Sequence, residues 1–324
     1  MSRPIGIALT AAAALVIGIA ATPVLAQDYP TGPVRVISGF PAGTTADISA
    51  RVVGAKMSQI LGQQIVVENR PGAASSLAAT AVARAPKDGY TLYIASAANM
   101  INAAMSSNLN FDIMKDFTPV TLLTSTPTVL VVHPSLGVKN VKELIALAMS
   151  KPDAISFGSS GVSSSTHLAL ELFNLLAKVK ITHIPYTGSP AVVTDLLGGR
   201  IHGYFSPAST VMGHVRAGTL VALAVTDARR STILPDLPTM IEAGVPDFES
   251  VLWFGLAAPA GTPQPIIDKL SRAANEALKA EDVAKSLQGQ TVTTVGGTPD
   301  AFRRHMENEH KRWNTVVTGA GLRK

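Results

Sequence analysis

The chain has no cysteine among its 324 residues, so no disulfide braces it and its stability has to come from a buried core. Aromatic residues make up only 5% of the sequence and charged residues 15%, and the net charge of +5 is scattered. The densest basic group, Arg303, Arg304, Lys311 and Arg312, shares its stretch with Glu307 and Glu309 and reads as the solvated face of a terminal helix. Nucleic-acid binding uses a basic stripe interleaved with stacking aromatics, and the sequence offers neither. It also lacks a Walker sequence and a G-x-G-x-x-G, and beyond its N-terminal segment it has no internal repeat or low-complexity stretch.

Catalytic and metal signals are equally sparse. "HMENEH" places His305 and His310 five apart, on different helix faces, whereas a zinc helix needs two histidines four apart with Glu beside the first. His183, His202 and His214 share no ligand spacing. Gly158-Ser159-Ser160-Gly161-Val162 is not the G-x-S-x-G of a nucleophile elbow. A serine hydrolase using Ser160 or Ser164 with His167 would need an acid to orient the imidazole, and the sequence identifies none. No metal, cofactor or catalytic residue is assigned.

What the sequence does have begins with an export signal. Arg3 precedes the uncharged apolar run Ile5 to Ile19, which is short for a membrane span of ~20 residues, and Val24-Leu25-Ala26 supplies small residues at a cleavage site. The expectation is removal of residues 1–26, a mature chain starting at Gln27, and a periplasmic location.

Strand-like and helical runs then alternate almost throughout. Val34 to Phe40 reads as a strand, Asp47 to Leu61 as a helix stopped by Gly62, Ile65 to Glu68 as a strand, Ala73 to Arg84 as a helix and Tyr90 to Ala95 as a strand. A second series starts at Thr128 to Val132. Asn140 with Glu143 forms a capping-box pattern, and Thr262-Pro263 and Thr298-Pro299 each read as an N-cap followed by proline. Such βαβ alternation predicts an α/β fold of mostly parallel sheets flanked by helices. The length implies two lobes, and without a Ser-rich or Pro-rich linker the crossings are expected near Leu123 to Pro127 and near Ser250. The first lobe is then discontinuous, 27–125 plus 251–324, and the second is 126–250.

Two strand-to-helix turns stand out, "SGFPAGTTADISAR" (Ser38 to Arg51) and "FGSSGVSSSTHL" (Phe157 to Leu168), one in each lobe. In the first, Pro41 and Gly43 enforce a sharp turn, and small residues leave backbone N–H groups uncovered just before Asp47 and its helix. Paired across a cleft, two helix N-termini could hold an anion with main-chain donors alone. Spacing alone leaves this open against ordinary Ser- and Gly-rich caps.

Several segments together resemble the extracytoplasmic receptors of tripartite tricarboxylate transporters, the Bug or TctC family. They are "FPAGTTAD" (Phe40 to Asp47), "VVENRPGA" (Val66 to Ala73), "DGYTLYIAS" (Asp88 to Ser96), "KDFTPVTLL" (Lys115 to Leu123), "HLALELF" (His167 to Phe173) and "HIPYTGSPA" (His183 to Ala191). "TDLLGGRI", "LAVTDARRSTILPDLPTMIEAGV", "WFGLAAPAGTP" and "VGGTP" complete a match in the family's order over nearly the whole mature chain. The resemblance implies a periplasmic-binding-protein fold of type II kind, in which two lobes close on a small carboxylate that passes to integral-membrane permease subunits. The receptor would be a monomer needing no cofactor. It implies ligand contacts at Pro41, Ala42, Gly43, Thr44, Thr45 and Asp47 in one lobe and at Ser159, Ser160, Gly161, Ser164, Ser165, Thr166 and His167 in the other. Ser96, Ala97, Ala98, Tyr186, Gly188 and Ser206 would line the remaining wall. The family commonly has a second glycine where Thr44 stands, and often an Asp where Ser206 stands. Without that acid to pair with an ammonium, the expected ligand is a dicarboxylate or an aromatic carboxylate such as terephthalate. A sensory receptor presenting its ligand to a periplasmic kinase domain would share the same clamp.

Overall fold

The structure is a computed structural model and describes residues 29–106, 108–162 and 164–323; the expected signal peptide lies outside the described residues. Among the described residues no helix is long and apolar enough to cross a membrane. The strands are β1 (Val34–Ser38), β2 (Ile65–Asn69), β3 (Thr91–Ser96), β4 (Phe117–Thr126), β5 (Thr128–Val132) and β6 (Ser156–Ser159), then β7 (Thr182–Pro185), β8 (Gly203–Pro207), β9 (Val221–Val225), β10 (Leu252–Pro259) and β11 (Thr293–Thr294). They form two sheets, β11-β4-β10-β3-β1-β2 and β7-β6-β8-β5-β9.

Both sheets are mixed. β1 runs parallel to β2 and β3, and β6 parallel to β7 and β8, as the βαβ alternation requires. The rest is antiparallel: β10 lies between β3 and β4, and β5 between β8 and β9. These strands enter their sheets at the crossings, with no crossover helix to turn them parallel.

The helices are α1 (Thr45–Leu61), α2 (Ser76–Ala83), α3 (Ala97–Met105), α4 (Val141–Ser150), α5 (Ser165–Ala177) and α6 (Ser189–Leu197), then α7 (Ala208–Arg216), α8 (Gln264–Lys279), α9 (Glu281–Gln288) and α10 (Pro299–Gly319). Gly62, at φ 69°, stops α1 as expected. Asn140 accepts from the Glu143 amide at 2.9 Å and Thr298 from the Ala301 amide at 3.1 Å, as their N-cap readings require. Thr262 differs: its hydroxyl donates to the Pro259 carbonyl at 2.8 Å, and α8 starts after Pro263 without a side-chain cap.

The start of α2 differs too. Ala73, Ala74 and Ser75 hold positive φ values of 45°, 49° and 73°, and the helix begins only at Ser76. Tertiary bonds impose this turn: Asn102 Nδ2 donates to the Ala74 carbonyl at 2.9 Å, and the Ser75 and Tyr93 hydroxyls lie 2.7 Å apart.

Trp253 of β10 and Phe302 and Trp313 of α10 belong to one continuous core together with Leu168, Leu172 and Phe173 of α5. Glu309, 2% exposed, sits inside it and accepts from the indole nitrogens of Trp253 at 2.8 Å and Trp313 at 3.1 Å. Arg312 bridges Glu309 to Glu249, so α10 is tied to the segment leading into β10.

The crossings position the functional region. β4 is antiparallel to β10, which is antiparallel to β3, so β4 ends on the same edge as β1 and β3. Only Pro127 separates β4 from β5, whose first residue, Thr128, pairs with Pro207 at the end of β8. The return path lies alongside: the Thr226 amide donates to the Thr128 carbonyl at 2.9 Å, the Ser250 amide to the Thr226 carbonyl at 3.0 Å, and Leu252 pairs with Thr126. The carboxyl ends of the parallel strands in both sheets therefore point toward the crossing, from opposite sides. Ligands of open α/β sheets bind at such ends.

Candidate functional site

In the first sheet the turn after β1 is organised by Asp47. Its carboxylate is nearly buried and accepts from the Gly43 amide at 2.9 Å, Arg51 Nε at 2.9 Å and Asn69 Nδ2 at 2.8 Å. The same Asn69 nitrogen donates to the Phe40 carbonyl at 3.0 Å, so one amide side chain ties both ends of the turn. Burial works to raise the Asp47 carboxyl, but the bonds from Arg51, the Gly43 amide and Asn69 outweigh it and hold it below the usual carboxylate range. Pro41, Ala42 and Gly43 are exposed at the tip, Gly43 with φ 79°, and the Thr44 hydroxyl donates back to the Pro41 carbonyl at 2.7 Å.

This corrects the simplest reading of the turn. The Gly43 amide is satisfied within the protein, and the Thr44 amide approaches the Pro41 carbonyl at 3.4 Å. The unpartnered donors sit one step further on. α1 follows Thr44, which provides no side-chain cap, and its first helical bond is from Ile48, so among the described residues the amides of Thr45, Ala46 and Asp47 have no hydrogen-bond partner. Beside them, at the end of β3, the Ser96 amide donates to Asn99 Oδ1 at 2.9 Å, which fixes the Ser96-Ala97-Ala98 entry into α3. Asn99 in turn donates to the Tyr93 hydroxyl at 2.7 Å.

The second loop, after β6, is also laced internally. The Ser160 amide donates to Thr166 Oγ1 at 2.9 Å and the Gly161 amide to Ser159 Oγ at 3.2 Å. Ser164 caps α5 by accepting from the His167 amide at 3.2 Å. The Ser160 and Ser164 hydroxyls turn to Thr166 Oγ1, at 3.1 and 2.9 Å. Tyr186 and Gly188 join this loop through their amides, which donate to the carbonyls of Ser159 at 3.0 Å and Ser160 at 3.2 Å. The Tyr186 hydroxyl donates to Asp195 at 2.9 Å; burial first, then that bond, push it up to about 12. Ser206 is fully buried and its hydroxyl donates to the Pro207 carbonyl at 3.2 Å. His167 is also buried, behind the loop, with its ring 3.9 Å from that of His183.

The structure thus brings the expected residues together as two groups, 41–45 and 47 with 96–98 at the ends of β1 and β3, and 159–161 and 164–167 with 186, 188 and 206 at the ends of β6, β7 and β8. Sequence reasoning missed the residues that shape them: Asn69, which it took only as part of a turn, Asn99, and His183, set aside for its lack of ligand spacing. Of the second group's helices, α6 follows Gly188 and α7 follows Pro207, both without a side-chain cap, and the first amide of α7, that of Ala208, donates to the Pro127 carbonyl at 3.0 Å. In α5, the Ser165 and Thr166 amides have no partner among the described residues. Open first-turn amides and the positive ends of these helices suit an anion, and a carboxylate in particular. Among the described residues no group of three or more His, Asp or Glu could hold a metal ion.

The model of the tripartite tricarboxylate transporter family receptor, TctC, matches residues 49–322. The chain belongs to this family. Protein BugT of Bordetella pertussis is 38% identical over 310 residues, covering 94% of this chain and 95% of BugT. Among solved structures, R. palustris Rpa4515 with adipate is 36% identical, with a TM-score of 0.78 over 91% of this chain and 99% of that one. MatC from Rhodopseudomonas palustris with bound malate is 32% identical, with a TM-score of 0.75 over 89% of this chain and all of MatC. The two-lobed α/β arrangement of this receptor is that of the periplasmic solute-binding proteins among its structural relatives.

Proposed function

We propose that this receptor is exported to the periplasm with cleavage after Ala26, captures a small dicarboxylate between lobes 27–125 plus 251–324 and 126–250, and delivers it as a monomer to the membrane subunits of a tripartite transporter. The observation that carries the reading is the pair of open helix starts, the Thr45, Ala46 and Asp47 amides of α1 beside one sheet and the Ser165 and Thr166 amides of α5 beside the other, at strand ends directed to the same crossing. The adipate and malate bound to its relatives support the ligand class.

No lysine or arginine stands in either loop, and Arg51 is committed to Asp47. Main-chain donors suffice. A hydrogen bond to a charged group contributes ~1.5–3 kcal/mol and a helix dipole ~0.3–1 kcal/mol, so three or four such donors approach the ~8 kcal/mol of a micromolar complex before ordering costs. Thr45, Ala46 and Ala42 would serve one carboxylate, and Ser165 and Thr166 the other, with Pro41, Thr44, Ala97, Ala98, Gly188 and Ser206 as walls. Ser206 offers no charge for an ammonium, which favours ligands without an amino group, aromatic dicarboxylates such as terephthalate included. A receptor role without catalysis fits the Ser160 and Ser164 hydroxyls, both bonded to Thr166.

The test is a thermal-shift and calorimetric panel of aliphatic and aromatic mono- and dicarboxylates and amino acids. A ligand at a hundredfold excess over its dissociation constant stabilises by ~2.7 kcal/mol. Stabilisation by dicarboxylates supports the reading; tight binding of an amino acid with none of the carboxylates overturns it.

A further inference from the structure

His183 of β7 reaches Ser159, where β6 gives way to the loop that follows it, and the function above gives it no role. Its Nε2 lies 2.6 Å from Ser159 Oγ. That hydroxyl accepts from the Gly161 amide at 3.2 Å and lies 3.1 Å from the Gly161 carbonyl. Three polar groups therefore converge on one fully buried oxygen at the end of β6. The Ser159 carbonyl simultaneously receives the Tyr186 amide, three residues after His183 on the same chain segment. Gly161 itself sits at φ 138°, a conformation held by its surroundings and not by a side chain of its own.

We propose that His183 is a positioning residue for the ligand: through Ser159 Oγ its imidazole fixes the Gly161 turn, and with it the direction of the first amides of α5. The inference rests on the carboxylate-receptor reading of that loop. The groups facing the ring from α5 are His167, stacked at 3.9 Å, and Glu171, whose Oε1 is 3.5 Å from His167 Nε2. Burial and then His167 lower the His183 imidazole to about 4, so it stays neutral at periplasmic pH, with one ring nitrogen an acceptor and the other a donor. A neutral imidazole can orient the shared hydroxyl without bringing a cation under the loop.

The test compares His183→Phe, which keeps a ring against His167 but removes the nitrogen, with His183→Gln, whose amide can reach the same oxygen. Hydrogen exchange of the unliganded protein is followed over residues 159–167 and, as control, over β1; adipate binding is measured by calorimetry. Expected are at least tenfold faster exchange in 159–167 for His183→Phe with β1 unchanged, at least tenfold weaker adipate binding, and recovery to within threefold in His183→Gln. Wild-type exchange in 159–167 for His183→Phe overturns the proposal. So does an equal loss in both variants, which would make the effect one of ring shape. Should adipate fail to bind the unaltered protein, the receptor reading loses its support while the exchange comparison still decides the role of His183.

Discussion

Replacing Asp47 with alanine removes the carboxylate on which the first turn is built. Three donors lose their acceptor: the Gly43 amide, Asn69 Nδ2 and Arg51 Nε. Bonds to a charged group contribute ~1.5–3 kcal/mol each. Arg51 is half exposed and an i,i+4 partner, so its share is only ~0.3–0.5 kcal/mol. Asn69 keeps the Phe40 carbonyl and Gly43 gains water, which trims the other two terms. The expected loss is ~2–4 kcal/mol of unfolding free energy, read from urea denaturation with an unchanged m-value. Because the Asp47 carboxyl is held low, its stabilisation is present above the unfolded value of 3.8 and is lost as pH falls through the lower folded value. The gap between the two proteins should therefore close below pH 4. Freeing the turn also costs the preorganised α1 terminus, and a tenfold rise in the adipate dissociation constant corresponds to ~1.4 kcal/mol. A variant within ~0.5 kcal/mol of the parent, the scale of an ordinary surface change, would refute this account of the turn.

Ala74→Gly should raise stability by ~1 kcal/mol, because alanine at φ 49° bears a left-handed penalty that glycine does not; a lower melting temperature would count against imposed strain there. Asp227 has an unpartnered buried oxygen, and burial, then Glu249, push its carboxyl up to about 6. The folded state therefore holds its proton more tightly, and stability declines as pH rises from 4 to 6; Asp227→Asn should melt higher than the parent at pH 8, with the gain vanishing near pH 4. Glu309→Leu should cost ~3–5 kcal/mol by leaving two buried indole N–H groups without an acceptor, measured by chemical denaturation; a neutral effect would show those donors re-satisfied elsewhere.

Much of the fold is legible in the sequence because it is written locally. Apolar runs separated by capped helices give the parallel halves of both sheets, and Asn140, Thr298 and Gly62 act where their chemistry says they should. What is not local is not legible. β10 runs antiparallel between β3 and β4 because the chain re-enters from the other sheet, a fact of path and not of composition. Ala73 to Ser75 reads as helix by propensity, yet Asn102 and Tyr93, distant in sequence, hold it left-handed. The site divides the same way. The two loops are visible as strand-to-helix turns, but which of their amides stay open depends on Asp47, Thr166 and Ser159, whose side chains turn back onto the loops they follow or precede. His183 is invisible in one dimension, because its partner Ser159 lies on a neighbouring strand 24 positions away.

The central claim is that open first-turn amides on both sides of the crossing grip the two ends of a dicarboxylate. It is tested most directly by following backbone amide resonances while adipate is titrated into the protein. Expected is a concerted shift, saturating with a single dissociation constant, of Thr45 and Ala46 in one lobe and Ser165 and Thr166 in the other. Saturable binding that leaves both pairs unmoved, or shifts confined to one side, would contradict it.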